Sequence, residues 1–495
     1  MEVTVAINRA PAKCDGKPGR GVGGAHTTED GRDSTTLSEG RGPTLLMRPE
    51  KVRVRECRKA NDPIDKAQEL QRTLYRAAKR SATRRFHALY DKMSREDILW
   101  RAWELVRANR GAAGVDGQSI QTIEEGGVAA FLTQVGQELL RGHYRPRPVK
   151  RVYIPKPDGG RRPLGIPAIR DRVVQMAAKI VIEPIFEADF QPYSFGFRPK
   201  RSAHEANEVI RQAANRGHDW VVDADIENYF ETIDHKKLMG MVEKRISDRR
   251  MLKLIRKFLE AGVLEDGEVR TATTGTPQGG VLSPLLANIY LNYLDTVWRQ
   301  RCSRLGVLVR YADDLVILSR SEAAGEEALE RLQLVLEHLH LNLNAAKSRM
   351  VDLREGREGF DFLGFHHRKV RSCRYHRFYL QRWPGRKAVQ AIRGRVRIIV
   401  GGRQGLDRNL KEIIRELNPV LRGWGNYFRV GNSSKQLHMV DSFVRERLCL
   451  FLSKKHKKSG RGWADRWRYI DLRHDGLCQL SGTVRRYVSP VHATG

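Results

Sequence analysis

The sequence predicts a mixed domain of strands and helices, α/β or α+β in class, followed by a smaller, basic, helical domain. Three observations carry this expectation. Strand and helix signals alternate from about residue 130 to 366, as they do where helices cover a sheet. Residues 307–319, Val-Leu-Val-Arg-Tyr-Ala-Asp-Asp-Leu-Val-Ile-Leu-Ser, set an aspartate pair between two short apolar runs of the kind that form buried strands. Residues 368–470 hold 27 Lys and Arg against 6 Asp and Glu, with apolar positions at helical spacing.

Taken in order, the first fifty residues are rich in Gly, Ser, Thr and charge, and no Phe, Trp or Tyr occurs before Tyr75. Such a segment cannot bury enough apolar surface to offset its ordering entropy, so residues 1–60 read as a disordered leader. Helical periodicity runs from Ile64 through Trp103 and breaks at Asn109–Gly117, whose three glycines mark a loop. Residues 61–134 thus form a helical extension, and residues 135–366 the mixed domain. Within it, Ser202 caps a helix over Ala203–Arg216, Glu205 completes a capping box and Gly217 supplies the stop. A second helix spans Glu326–His340, with Leu329, Leu332, Leu336 and Leu339 on one core-facing stripe. Residues 367–458 are helical, with one stripe at Val389, Ile392, Val396 and Ile399 and another at Leu437, Val440, Val444, Leu448 and Phe451. Residues 459–495 read as a short basic region of DNA-binding type. Trp383, Trp424, Tyr427, Phe428, Trp463 and Trp467 interleave with the basic residues; most belong to the core, and one or two could stack on bases.

The 495 residues carry 90 Lys and Arg against 58 Asp and Glu, a net charge of +32. That imbalance points to a polyanionic partner, because neutralising phosphates releases condensed counterions. No stretch of 18 apolar residues and no signal-peptide pattern is present, so a membrane partner is not expected. Cys14, Cys57, Cys302, Cys373, Cys449 and Cys478 show no C-x-x-C spacing and fit a reducing cytoplasm rather than a zinc module or disulfide frame.

The chemistry concentrates on three aspartates. Asp313 and Asp314 fall at a hairpin tip, where adjacent carboxylates repel each other unless a cation neutralises them. A hard divalent ion with oxygen ligands, Mg2+ first, suits the position. Upstream, Trp220-Val221-Val222-Asp223-Ala224-Asp225 closes another apolar run with acids. Two strands that each deliver carboxylates suit a two-ion site for phosphoryl displacement. Asp223 and Asp225 share a strand face.

In order along the chain, Tyr153-Ile154-Pro155-Lys156-Pro157-Asp158-Gly159-Gly160-Arg161-Arg162-Pro163-Leu164-Gly165-Ile166-Pro167 is followed by Ser194-Phe195-Gly196-Phe197-Arg198-Pro199. Then come Asp225-Ile226 with Tyr229-Phe230, Gly275-Thr276-Pro277-Gln278-Gly279-Gly280, Tyr311-Ala312-Asp313-Asp314, Lys347 and Phe362-Leu363-Gly364-Phe365. This series resembles the reverse transcriptase of group II intron-encoded proteins. Leu417-Asn418-Pro419-Val420-Leu421-Arg422-Gly423-Trp424-Gly425-Asn426-Tyr427-Phe428 looks like the maturase, or thumb, domain of that family.

The resemblance implies an α+β right-hand polymerase, fingers and palm with an antiparallel sheet, followed by the α-helical thumb. It implies RNA-directed DNA synthesis during intron retrohoming and help with intron splicing. Partners would be the intron RNA, a DNA target and primer, and dNTPs. It places two Mg2+ ions on Asp225, Asp313 and Asp314 with the Ile226 carbonyl. Lys156 and Arg162 would grip the triphosphate, Phe230 would exclude a ribose 2'-hydroxyl, and Gln278 would contact template or nucleotide. Lys347 would serve the leaving pyrophosphate. Asn109, Arg110, Gly111 and Arg198 would meet template or intron RNA. With no cysteine-paired HNH region after Trp467, the expected kinship is with members lacking that endonuclease. A splicing cofactor with a vestigial polymerase and a retron-like enzyme without an intron are the competing expectations.

Overall fold

The computed structural model describes residues 63–155, 159–265, 267–270, 274–374, 376–401, 405–457 and 472–485. Among the described residues eleven strands form three sheets. In chain order they are β1 Val149–Pro155, β2 Arg161–Ile166, β3 Trp220–Asp225, β4 Val263–Glu265, β5 Glu268–Arg270 and β6 Val307–Tyr311. Then follow β7 Asp314–Ser319, β8 Arg349–Asp352, β9 Gly359–Phe362, β10 Phe365–Arg371 and β11 Phe378–Pro384.

The first sheet runs β2-β1-β4-β5 and is built on the antiparallel hairpin β1–β2. The second runs β6-β7-β3-β8 and is antiparallel throughout. Its inner strands β3 and β7 are apolar on both faces because helices cover them: Val221, Val222, Val316, Ile317 and Leu318 are all buried. The third runs β11-β10-β9. The aspartate-tipped hairpin expected over 307–319 is therefore β6 and β7, joined through Ala312 and Asp313.

The helix Ala203–Asn215 begins with the expected capping box of Ser202 and Glu205 and is followed by Gly217 at φ +85°. The leucine-striped helix spans Glu322–His338, a turn earlier than expected, because Ser321 caps it by accepting from the Ala324 N–H. It ends as Leu339 leaves helical geometry and His340 turns to φ +56°.

Two expectations are corrected. The helical run from Ile64 to Trp103 is broken into Pro63–Arg80, a single turn Tyr90–Met93, and Glu96–Ala108. Asp248 causes the break by accepting from the Leu89 and Tyr90 N–H groups at 2.7 and 2.8 Å, while Phe86 bridges to Ile246. Residues 368–384 are not helical but carry β10 and β11. Their inward alternation falls on His367, Lys369 and Arg382, all buried, so apolar periodicity does not reveal it.

Beyond β11, helices Arg386–Val400, Leu410–Phe428 and Ser434–Lys455 enclose their own core of Ile392, Val396, Leu417, Leu421, Val440 and Leu448. Residues 472–485 pack back onto this bundle. Leu472 and Leu480 join its core, Asn418 holds Gly476 and Cys478, and Asp441 accepts from the N–H groups of Leu480 and Ser481. The described part of the expected C-terminal basic region is thus an integral layer of the helical domain. Trp463 and Trp467 lie outside the described residues.

Candidate active site

β3 and β7 place their acids face to face: Asp225 pairs in register with Asp314, and Tyr311 stands opposite Asp314 on β6. Asp313 occupies the turn between β6 and β7. Carboxylates far apart in the sequence thereby meet at one end of one sheet.

Their electrostatics are those of crowded acids. Burial pushes Asp314 up to about 7; Asp313, Asp225 and Asp223 add to the rise and Lys347 opposes it. Asp314 nonetheless reaches solvent at the start of β7, so it is hemmed in by protein yet accessible to an ion. Asp313 is also raised, by burial first and by Asp225, against Arg162 and Arg310. Asp223 is pushed up to about 6, again chiefly by burial, with Arg349 pulling it down at 3.7 Å.

Asp225 is held differently. Lys347 Nζ lies 2.9 Å from its Oδ2, and the Asn344 N–H donates to its carbonyl at 2.8 Å. Ile226, the next residue, is buried and bridges to Leu343. Lys347, expected near the leaving group, is therefore a direct neighbour of the candidate metal ligand.

Among the described residues no three His, Cys, Asp or Glu side chains stand grouped as a ready-made metal cage; Asp225 is turned onto the Lys347 ammonium. What fits a hard divalent ion is the donor chemistry: carboxylate oxygens whose mutual repulsion a cation would relieve.

A buried network that sequence reading missed fixes the turn. Arg310, in the middle of the apolar strand β6, is 0 % exposed. Its Nε and Nη2 donate to Asp295, Nη2 also donates to Ser194, and Nη1 donates to Asn288 and to the Ala312 carbonyl at 3.0 Å each. Asn288 in turn donates to the Gly196 carbonyl at 2.8 Å. Gly196 lies against the turn so closely that a Cβ there would sit 2.4 Å from the Ala312 nitrogen. The signal was available, since a charge inside an apolar strand must find a partner.

The remaining expected residues divide. Arg162 on β2 donates from Nε to Gln278 Oε1 at 3.1 Å, so the hairpin cation and the glycine-loop amide meet. That loop is stitched to its surroundings: Thr276 N–H donates to the Phe230 carbonyl, and Gly165 N–H to the Gln278 carbonyl. Gly275 at φ +85° comes so near the Phe230 and Glu231 carbonyls that no side chain fits. The loop's glycines therefore serve close approach to protein backbone. Phe230 is 7 % exposed and packs edge-to-face on Tyr229, a floor of the core rather than a projecting wall. Lys156 lies outside the described residues.

Asn109 and Arg110 are exposed at the end of the helix Glu96–Ala108, with Arg110 at φ +45°. Gly111 abuts Arg172, whose guanidinium ties this loop to the end of the β1–β2 hairpin by donating to the Ala112 and Pro167 carbonyls. Arg198 is a correction. It is buried, forks onto Glu187 and donates to the carbonyls of Gln191 and Ser194, so four of its five N–H donors are spent inside the protein rather than on RNA.

Comparison with known proteins places this site in a class. Residues 154–367 match the family described as reverse transcriptase (RNA-dependent DNA polymerase), and residues 389–469 match the group II intron, maturase-specific domain. The chain is 38% identical over 343 residues to protein YkfC of Escherichia coli, a match covering 61% of this chain and 88% of that protein. It is 41% identical over 213 residues to the group II intron-encoded protein LtrA of Lactococcus lactis, covering 42% of this chain and 35% of LtrA. A solved structure, the partial Cas6-RT-Cas1--Cas2 complex, aligns over 50% of this chain and 42% of that one at 24% identity, with a TM-score of 0.32 too low to carry any argument. The protein is a reverse transcriptase by fold. It belongs to the family of group II intron-encoded reverse transcriptases and maturases, with the second sheet as its palm and the helical bundle as its maturase, or thumb, domain.

Among the described residues no helix is long and apolar enough to cross a membrane, and Cys302, Cys373, Cys449 and Cys478 are unpaired.

Proposed function

We propose that this chain is a Mg2+-dependent RNA-directed DNA polymerase that copies a group II intron RNA and assists its splicing. The observation that carries the reading is the juxtaposition of Asp225 with the Asp313–Asp314 turn across β3 and β7.

Asp225, Asp313 and Asp314 would hold two ions, with the Ile226 carbonyl as a further oxygen. When bound, such ions lower the pKa of a primer hydroxyl and neutralise a triphosphate. The chain's own groups do the rest. Arg162, held by Gln278, offers a bidentate fork to phosphate oxygens, and Lys156, nearby in the sequence, would add a point charge. Lys347 neutralises Asp225 in the resting protein and, once released, places a proton donor beside the departing pyrophosphate. Phe230 sets the depth of the nucleotide floor. The exposed Asn109–Arg110 loop and the basic maturase helices would hold the RNA. A strictly vestigial polymerase is disfavoured, because crowded, mutually repelling carboxylates cost stability and would not persist without a cation to bind.

Primer extension on an RNA template with dNTPs tests this. The wild type should incorporate dNTPs, and Asp313→Ala should lose at least about 10²-fold in rate, in the range that deleting one charge-stabilising group costs. Equal incorporation by both proteins would overturn the polymerase reading.

A further inference from the structure

Three arginines of the maturase domain converge on one ring. Arg393 and Arg397 on the helix Arg386–Val400, and Arg447 on the helix Ser434–Lys455, set their guanidinium groups 5.1, 5.3 and 5.1 Å respectively from the centroid of Phe443. Phe443 is itself buried in the bundle, so the three cations share one fixed neighbour.

The cluster has no internal counter-charge. Among the described residues none of the three is ion-paired or otherwise hydrogen-bonded, and the Nε atoms of Arg393 and Arg447 are buried without a partner. Arg393 and Arg397 stand four apart on one helix, where like charges repel, and Arg447 joins them from a second helix. Three buried arginines elsewhere in this protein do find acids: Arg310 has Asp295, Arg198 has Glu187 and Arg382 has Glu208. A site that concentrates forked donors without an acceptor is arranged for an anion brought from outside.

We propose that Arg393, Arg397 and Arg447, seated on Phe443, form a cradle for a backbone phosphate of bound RNA. The ligand class is the phosphodiester rather than the base, since three cations gathered without a counter-charge answer a charged group, and a base edge carries no net charge. This rests on the reading that the maturase domain holds RNA, and it assigns that role to one place on a domain that is basic almost everywhere.

The test uses the full chain and a fluorescein-labelled single-stranded RNA of about 30 nucleotides, with binding titrated from about 50 to 300 mM KCl, the range over which phosphate neutralisation is read. The triple variant Arg393→Gln, Arg397→Gln, Arg447→Gln should bind at least about 10-fold more weakly and flatten the log K against log salt slope by about 0.7 for each phosphate no longer neutralised. A control that removes the same charge from the exposed face of the neighbouring helix, Lys411→Gln, Arg415→Gln, Arg422→Gln, should weaken binding distinctly less. The triple Arg→Lys variant keeps the charge but not the fork, and should fall between wild type and the glutamine variant. Melting curves verify that each variant is folded.

Wild-type affinity and slope in the folded glutamine variant would overturn the cradle while leaving the RNA-binding reading intact. Equal weakening in the glutamine variant and the control would also overturn it, showing diffuse charge instead of a site. Failure of the wild type itself to bind would remove the RNA-binding reading and the cradle together.

Discussion

At the scale of single residues, the palm depends on a cation that never meets substrate. Arg310 satisfies Asp295, Ser194, Asn288 and the Ala312 carbonyl from one buried guanidinium, and so determines where the turn bearing Asp313 lies. Arg310→Met leaves Asp295 as an uncompensated buried charge, a change that typically costs about 3–5 kcal/mol. The expected outcome is a markedly lower denaturation midpoint together with loss of primer extension; retention of both in urea melts and activity assays would contradict the assigned role. The three aspartates are legible in the sequence because each closes an apolar run. Arg198 is not, because a motif match says nothing of where a guanidinium points. Glu187, eleven residues upstream, takes it into the interior. Phe230 shows the same limit, since its spacing from Asp225 is visible in the chain but its burial is not.

At the scale of elements, strands and helices whose own side chains encode them are readable. The capping box at Ser202 and the hairpin of β6 and β7 follow from local patterns. Elements set by distant partners are not. Asp248 interrupts the N-terminal helical run from far along the chain, and β10 hides its alternation in His367 and Lys369, which find Asn207 and Asp219 far back in the chain. Residues 472–485 are another such case. They attach to the maturase bundle largely through Asp441, which accepts two backbone N–H groups and the Ser481 hydroxyl. Asp441→Ala should free this segment, seen as faster amide exchange across 472–485 with no change in β3 and β7. Unaltered protection there would mean that Leu472 and Leu480 alone suffice to hold it.

For the whole molecule, the palm and maturase domains meet through histidines kept neutral. Burial pushes His204 down to about 4, helped by Arg382, and holds His367 well below the usual imidazole range. His204 packs between Phe365 and Tyr427, so it touches both domains. Unfolding releases these rings to titrate near 6.5, so the folded state is fully stabilised above that pH and loses stability as pH falls from about 6.5 towards 4. Melting temperatures measured at about pH 7, 6 and 5, across that window, should decline, and His204→Phe should show a shallower decline. Parallel curves for the two proteins would show that His204 does not contribute.

The helix Ala203–Asn215 lies at the centre of this junction. It packs on β6 of the catalytic sheet on one side and on β11 on the other, where Asn215 accepts from the Leu380 N–H and Asn207 meets His367. This helix thus offers a shift of the maturase bundle one mechanical route to the hairpin whose tip bears Asp313, alongside the direct contacts of Tyr427 with the Leu363 carbonyl and of Phe428 with Phe365.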